Sequence, residues 1–157
     1  MRASRWLVLV GLLTAIASGI GQASAASPAA TSVRCSLRAQ LETGQISDQG
    51  TLVGFIKCGH PFGKGSYHGR YRDNVVPFPF TGSETGSSKF SFKPGTVRGT
   101  YTLPPARISG TAPFHGTFHI TGGTRLFKHV SGTLNMTCAH RIPPLTDCTL
   151  SGPVNGI

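Results

Sequence analysis

The sequence predicts an all-β protein, a small antiparallel barrel of eight to nine strands that carries two disulfides. Apolar residues recur at every second position in short segments, and no window shows helical spacing of three and four. The chain also holds 21 glycines, 11 prolines and four cysteines. Short alternating strands separated by turn residues are typical of a barrel or a sandwich, and a β-sandwich is the alternative fold.

The beginning of the chain has the features of a signal peptide. Two arginines precede an apolar run, and Ala23 and Ala25 form a small-residue cleavage pattern. The sequence therefore predicts a signal peptide at 1–25, a flexible N-terminal segment at 26–32 and one barrel domain at 33–157. We expect a secreted protein, extracellular or in the periplasm or cell envelope, with no transmembrane segment after signal cleavage.

Period-two alternation places the strands in order along the chain. Eight strands are predicted at 33–41, 51–58, 65–72, 88–93, 97–103, 114–121, 130–138 and 147–152, with a weaker ninth at 75–80. Phe90 and Phe92 alternate with Lys89 and Lys93, so we expect the rings to face the core and the lysines to face solvent. The tyrosines of 65–72 alternate with basic residues in the same way.

The four cysteines predict two disulfides, because an even number in an exported chain is typical of an oxidised framework. Three pairings are possible. The alternation favours Cys35 with Cys58 and Cys138 with Cys148, since each pairing also brings apolar or small residues together on one face of an antiparallel hairpin.

Glycine followed by threonine occurs seven times in the chain. Glycine weakens a strand interior, but it permits the sharp bends that close a small sheet into a barrel. Inward glycines would also leave room for a ligand, and the candidates are Gly54, Gly69, Gly99 and Gly116. The alternative is an interior filled by large side chains, with Phe55, Tyr101, Phe118 and Leu134 as the candidates.

The segment 118–132, FHITGGTRLFKHVSG, resembles a hairpin of dirigent proteins and allene oxide cyclases. In that superfamily a strand runs into Gly-Gly-Thr-Gly-x-Phe, and the next strand begins near a glycine. Arg125 stands where the family usually has glycine. The resemblance implies an eight-stranded antiparallel barrel with an apolar cavity. It transfers no catalytic or ligand-contacting residue to this chain.

The segment 73–80, DNVVPFPF, provides the candidate ligand-binding residues, Val76, Phe78 and Phe80. Its two prolines cannot donate to a β-ladder, while these three side chains share one side. The segment is interpreted either as an edge strand packed on the barrel end or as a lid over the barrel mouth. The predicted function is a secreted, non-catalytic barrel that binds a small apolar or amphipathic ligand.

The formal net charge of +10 suggests an alternative function. A basic scaffold could bind an anionic envelope polymer, acidic lipid headgroups or a protein partner through screened, long-range attraction. Nucleic acid is not an expected partner, because the chain is predicted to be exported and its phenylalanines are assigned to the core.

The sequence predicts no catalytic residue, no metal site and no cofactor. His115 and His119 lie about 13 Å apart if they share a strand, which is too far for one metal ion. Of the five acidic residues, Asp48, Asp73 and Glu84 are interpreted as turn residues, which disfavours a two-carboxylate hydrolase. An isomerase like allene oxide cyclase remains an alternative, since shaping a bound substrate requires no strong acid or base.

Overall fold

The computed structural model describes residues 30–42, 48–76, 81–107, 113–140 and 145–157. The strands are β1 Thr31–Leu41, β2 Gln49–Cys58, β3 Lys64–Val76, β4 Thr81–Phe92, β5 Gly95–Arg107, β6 Phe114–Gly123, β7 Ser131–His140 and β8 Leu145–Asn155, with a 3-10 turn at Arg125–Phe127 between β6 and β7. Each strand pairs antiparallel with the next, and β8 pairs with β1 to close the barrel. The predicted barrel is confirmed, with eight strands, and the sandwich alternative is wrong.

Three features of the strand assignment differ from the predictions. The weak ninth strand at 75–80 is not a separate strand, because Val75 and Val76 end β3 and pair with Gly82 and Thr81 of β4. Residues 77–80 lie outside the described residues. Strand β4 begins well before residue 88, since the glycines and serines that resembled a turn pair with neighbours on both sides. Strand β1 begins at Thr31, inside the segment predicted to be flexible.

Both predicted disulfides are present, and they occupy inward-facing positions. Cys35 bonds Cys58 across β1 and β2, and Cys138 bonds Cys148 across β7 and β8. The register of β1 on β2 is the predicted one, with Leu37 opposite Ile56. Within the described residues no cysteine is free and no helix is long and apolar enough to cross a bilayer. Two disulfides fit an oxidising compartment.

Aromatic rings close one end of the barrel, which we call the Phe127 end. Phe127 is fully buried, and its ring stacks on Phe62 with centroids 4.7 Å apart. Phe92 meets both rings, at 5.5 Å from Phe62 and 5.9 Å from Phe127. Arg125, which begins the adjacent 3-10 turn, has a φ of 54°, in the left-handed region that glycine adopts most easily.

Inside the barrel, aromatic rings lie over inward-facing glycines. Gly65 stands opposite Phe92, and Gly86 stands opposite Tyr101. A β-carbon at Gly65 would lie only 2.7 Å from the Phe92 ring. This arrangement lets large rings fill a narrow interior without colliding with the facing wall.

The structure tests both predictions about the interior. The four candidate glycines share inward-facing positions, and each has backbone or side-chain atoms directly against it. Three of the predicted filling residues, Tyr101, Phe118 and Leu134, are buried. The prediction was wrong for Phe55, which is 76% exposed. Its neighbour Gly54 faces inward. Because successive side chains of a strand point to opposite faces, Phe55 lies on the outer surface.

Candidate functional site

A group of polar side chains faces the barrel interior from three adjacent strands. We call it the inner polar cluster, and its members are Tyr67 and Asp73 on β3, Glu84 and Ser88 on β4, and Tyr101 on β5. Strand alternation explains their direction, because they continue the inward-facing series that includes Phe90 on β4 and Tyr71 on β3. The acidic members lie towards the end opposite Phe127, which we call the Glu84 end.

Glu84 is the centre of the inner polar cluster. The Tyr101 hydroxyl donates a hydrogen bond to Glu84 Oε1. Burial raises the pKa of Glu84 to about 7, against the lowering effect of that hydrogen bond, and Asp73 raises it further through charge and a hydrogen bond. Asp73 is the direct cross-strand partner of Glu84. A hydrogen bond between two carboxyl groups requires a proton on one of them, and the raised pKa assigns that proton to Glu84.

Tyr67 and Ser88 extend the cluster towards the middle of the barrel. The Ser88 hydroxyl donates to the Tyr67 hydroxyl oxygen over 3.3 Å. Burial raises the pKa of Tyr67 to about 12, and it also raises the pKa of Tyr101. Both phenols therefore stay neutral at physiological pH. The cluster offers neutral hydroxyl groups and a carboxyl that exchanges its proton near neutrality.

The sequence interpretation of Asp73 and Glu84 as turn residues was wrong. Both lie in strands, face each other across β3 and β4, and point into the barrel. One signal was available: the series Tyr67, Gly69, Tyr71 continues at the same spacing to Asp73. The many small residues between 81 and 88 concealed the matching strand.

The predicted ligand-binding residues are only partly within the described chain. Val76 is the last residue of β3, opposite Thr81, and this end of the hairpin is the one that carries Asp73 and Glu84. Phe78 and Phe80 lie outside the described residues. The prediction that the segment forms a lid stays a prediction.

The histidines considered for metal binding lie on the outer surface of β6. His115 Nδ1 is 3.1 Å from the Thr137 hydroxyl, and His119 Nδ1 is 3.1 Å from the Thr133 hydroxyl. Each imidazole therefore has a partner on β7. Among the residues that the structure describes, no group of three or more His, Cys, Asp or Glu side chains is placed to hold a metal.

A shallow groove of about 750 Å³ crosses the outer wall formed by β7, β8, β1, β2 and β3. Phe55 is exposed in it, and Lys57 and Lys64 lie beside it. Arg38 Nε pairs with Asp147 Oδ1 at 2.9 Å across β1 and β8. None of the residues that line this groove belongs to the inner polar cluster, so the two features are separate.

The fold and the cluster define a closed eight-stranded β-barrel with titratable groups inside one end. No protein-family model matches this chain, and no curated protein matches it in sequence. Among solved structures, the chain is similar to one described as pyocyanin demethylase, with a TM-score of 0.43 and 18% sequence identity. The match covers 77% of this chain and 97% of the other.

Proposed function

We propose that this protein is an exported β-barrel that binds a small amphipathic ligand at the Glu84 end. The observation that carries the proposal is the inward-facing pair formed by Glu84 and Tyr101, with Asp73 beside it. Ligand sites in proteins combine apolar walls with a few convergent polar groups of perturbed pKa. This cluster provides the polar groups, and the aromatic rings around it provide the walls.

The two ends of the barrel differ in what their inward positions hold. Phe62, Phe92 and Phe127 pack against one another at the Phe127 end. Inward positions near the other end hold the polar groups of Asp73, Glu84 and Tyr101, and buried side chains such as Leu103 lie over the inward glycines there. A ligand that needs a hydrogen-bonding partner inside the barrel is therefore expected at the Glu84 end. Val76, Phe78 and Phe80 are proposed as residues of the mouth, because β3 ends at Val76 on the side of the barrel that carries Glu84.

The ligand that this arrangement suits has an apolar body and one hydrogen-bonding group. Protonated Glu84 can donate to a carbonyl, and the ionised form can accept from a hydroxyl or an amide. The resemblance of segment 118–132 to dirigent and allene oxide cyclase hairpins supports the same class of ligand. Export is proposed from the signal-peptide pattern at 1–25 and is consistent with the two disulfides.

Binding of a neutral fluorescent apolar probe such as Nile red tests the proposal. We expect saturable 1:1 uptake by the oxidised protein, weakened about tenfold by Phe80→Ser, because a buried phenyl contact of roughly 1.5–3 kcal/mol is lost. Phe55→Ser is the matched control, since Phe55 lies on the outer wall, and it should change the dissociation constant less than about twofold. Absence of uptake by the folded protein, or equal weakening by both variants, would refute ligand binding at this mouth.

A second candidate function is isomerisation of a bound apolar substrate. The observation that favours it is the carboxyl pair of Asp73 and Glu84, because a group whose pKa is about 7 is suited to proton transfer at neutral pH. The test is turnover of a reactive unsaturated epoxide as a function of pH. Isomerisation that changes between about pH 6 and 8 in the wild type, and is lost in Glu84→Gln with probe binding retained, would favour this function over simple binding.

A further inference from the structure

We infer that the outer face of β3, β4 and β5 is a docking surface for a linear polyol-phosphate polymer, a phosphodiester chain that carries no nucleobases. This surface lies on the opposite side of the same wall that carries the inner polar cluster, and it is independent of the proposed ligand site. We call it the basic face. Its cationic side chains are Lys64, Arg70, Arg72, Lys89 and Arg98, and the imidazole of His68 lies among them.

The basic face has a uniform composition. Its remaining outward positions hold mainly serine, threonine and asparagine, and no acidic side chain occurs at the outward positions that the structure describes on these strands. Asp73 and Glu84 belong to the same strands, but they point inward. The alternation that buries these two carboxyls therefore leaves the outer side without a neutralising charge.

The cations stand in register across neighbouring strands. Lys89 on β4 is directly opposite His68 on β3 and directly opposite Arg98 on β5. Lys64 on β3 is directly opposite Lys57 on β2. Like charges at opposed positions destabilise a sheet by up to about 1 kcal/mol for each pair. A bound anion would relieve this repulsion, so the free protein is expected to gain stability when a polyanion binds.

The outward lysines and arginines described lie on five of the eight strands. The outward positions described on β6, β7 and β8 hold His115, His119 and Asp147 but no lysine or arginine. Strands β1 and β2 carry Arg34, Arg38 and Lys57, of which Arg38 is paired with Asp147, so the cations are most numerous on β3 to β5. A partner attracted by net charge alone would show no preference for a side, and this uneven distribution therefore indicates a localised surface.

The shape and chemistry of the basic face select the partner. A flat membrane touches a convex barrel wall along only a narrow strip, whereas a flexible chain can follow the surface from Arg70 on β3 to Arg98 on β5. The planar guanidinium groups of arginine, with their several N–H donors, and the hydroxyl groups between them are typical contacts of phosphate groups. The aromatic rings on these strands face inward, so the face lacks the stacking platform that single-stranded nucleic acids use.

The experiment uses the oxidised full-domain protein and synthetic poly(glycerol phosphate), with affinity measured by calorimetry at about 50 mM salt. Lys89→Gln is expected to weaken binding about fivefold, because it removes the central cation of the row. Lys128→Gln removes the same charge from an exposed turn at the Phe127 end. This matched control should weaken binding less than about twofold.

A second measurement separates docking from a general charge effect. Without polymer at low salt, Lys89→Gln should raise the melting temperature by about 1–4 °C, because the repulsion between Lys89 and the opposed Arg98 is removed. Polymer should then stabilise the wild type more than this variant. Equal weakening by both variants would overturn the proposal, as would tighter binding to phosphatidylglycerol vesicles, to oligothymidylate or to carboxylated alginate at matched charge.

Discussion

Replacing Gly99 with alanine is expected to destabilise the barrel by about 3 kcal/mol. Gly99 faces inward from β5, and a β-carbon there would collide with the carbonyl oxygen of His119 and the ring of Phe118. The carbonyl belongs to the paired strand β6, so it cannot move without breaking the ladder. The Phe118 ring is 1% exposed and packs against Phe90 with centroids 5.2 Å apart, so it can move away only by displacing its neighbours.

Chemical denaturation with the disulfides intact measures this effect. Gly59→Ala is the matched control, because a β-carbon at Gly59, in the turn after β2, would meet nothing within 4 Å. The control should change the free energy of unfolding by no more than about 1 kcal/mol, and it could be stabilising through the reduced entropy of the unfolded chain. Similar small changes for both variants would show that Phe118 does not occupy the space beside Gly99.

The stability of the wild-type barrel is expected to fall as pH rises from about 4.5 to 7, and Glu84→Gln should remove most of this fall. Burial raises the pKa of Glu84 from 4.5 to about 7 in the folded state. The folded protein therefore binds this proton more tightly than the unfolded chain does. The resulting stabilisation is fully present below pH 4.5 and is lost as pH rises through 7.

The expected loss is about 2 kcal/mol, less than the full shift implies, because Glu84 is partly accessible to solvent. Urea denaturation at intervals between pH 4 and 8 would measure it. The control is Glu42→Gln, which removes an exposed carboxyl at the end of β1 and should keep the wild-type pH dependence. If Glu84→Gln leaves the slope between pH 5 and 7 unchanged, Glu84 is not the buried proton-binding group.

The predictions that succeeded rest on one local rule: side chains along a strand alternate between its two faces. In β1 the alternation of Cys35, Leu37 and Ala39 with polar residues identifies one face, and the cysteines then determine the register with β2. The same reasoning placed Phe90 and Phe92 inside and the adjacent lysines outside. These positions could be predicted because neighbours along a strand already specify which side is buried.

The prediction failed where glycine-rich sequence conceals a strand. Residues 81–88, TGSETGSS, contain no large apolar side chain, so alternation gives no signal there. They nevertheless pair with β3 and β5, and the inward Gly86 accommodates the ring of Tyr101 from the neighbouring strand. The strand is stabilised by side chains that belong to other strands, and a local sequence pattern does not contain that information.

The sequence by itself determined the fold class, the two disulfides and the inward or outward direction of most strand residues, because these depend on spacing along a single strand or hairpin. Only the tertiary structure decided that Glu84 meets Tyr101 and Asp73 inside the barrel, and that Lys89 stands between His68 and Arg98 outside it. Both groupings join three different strands. Their formation depends on the relative register of β3, β4 and β5, which closure of the whole barrel sets and no single segment encodes.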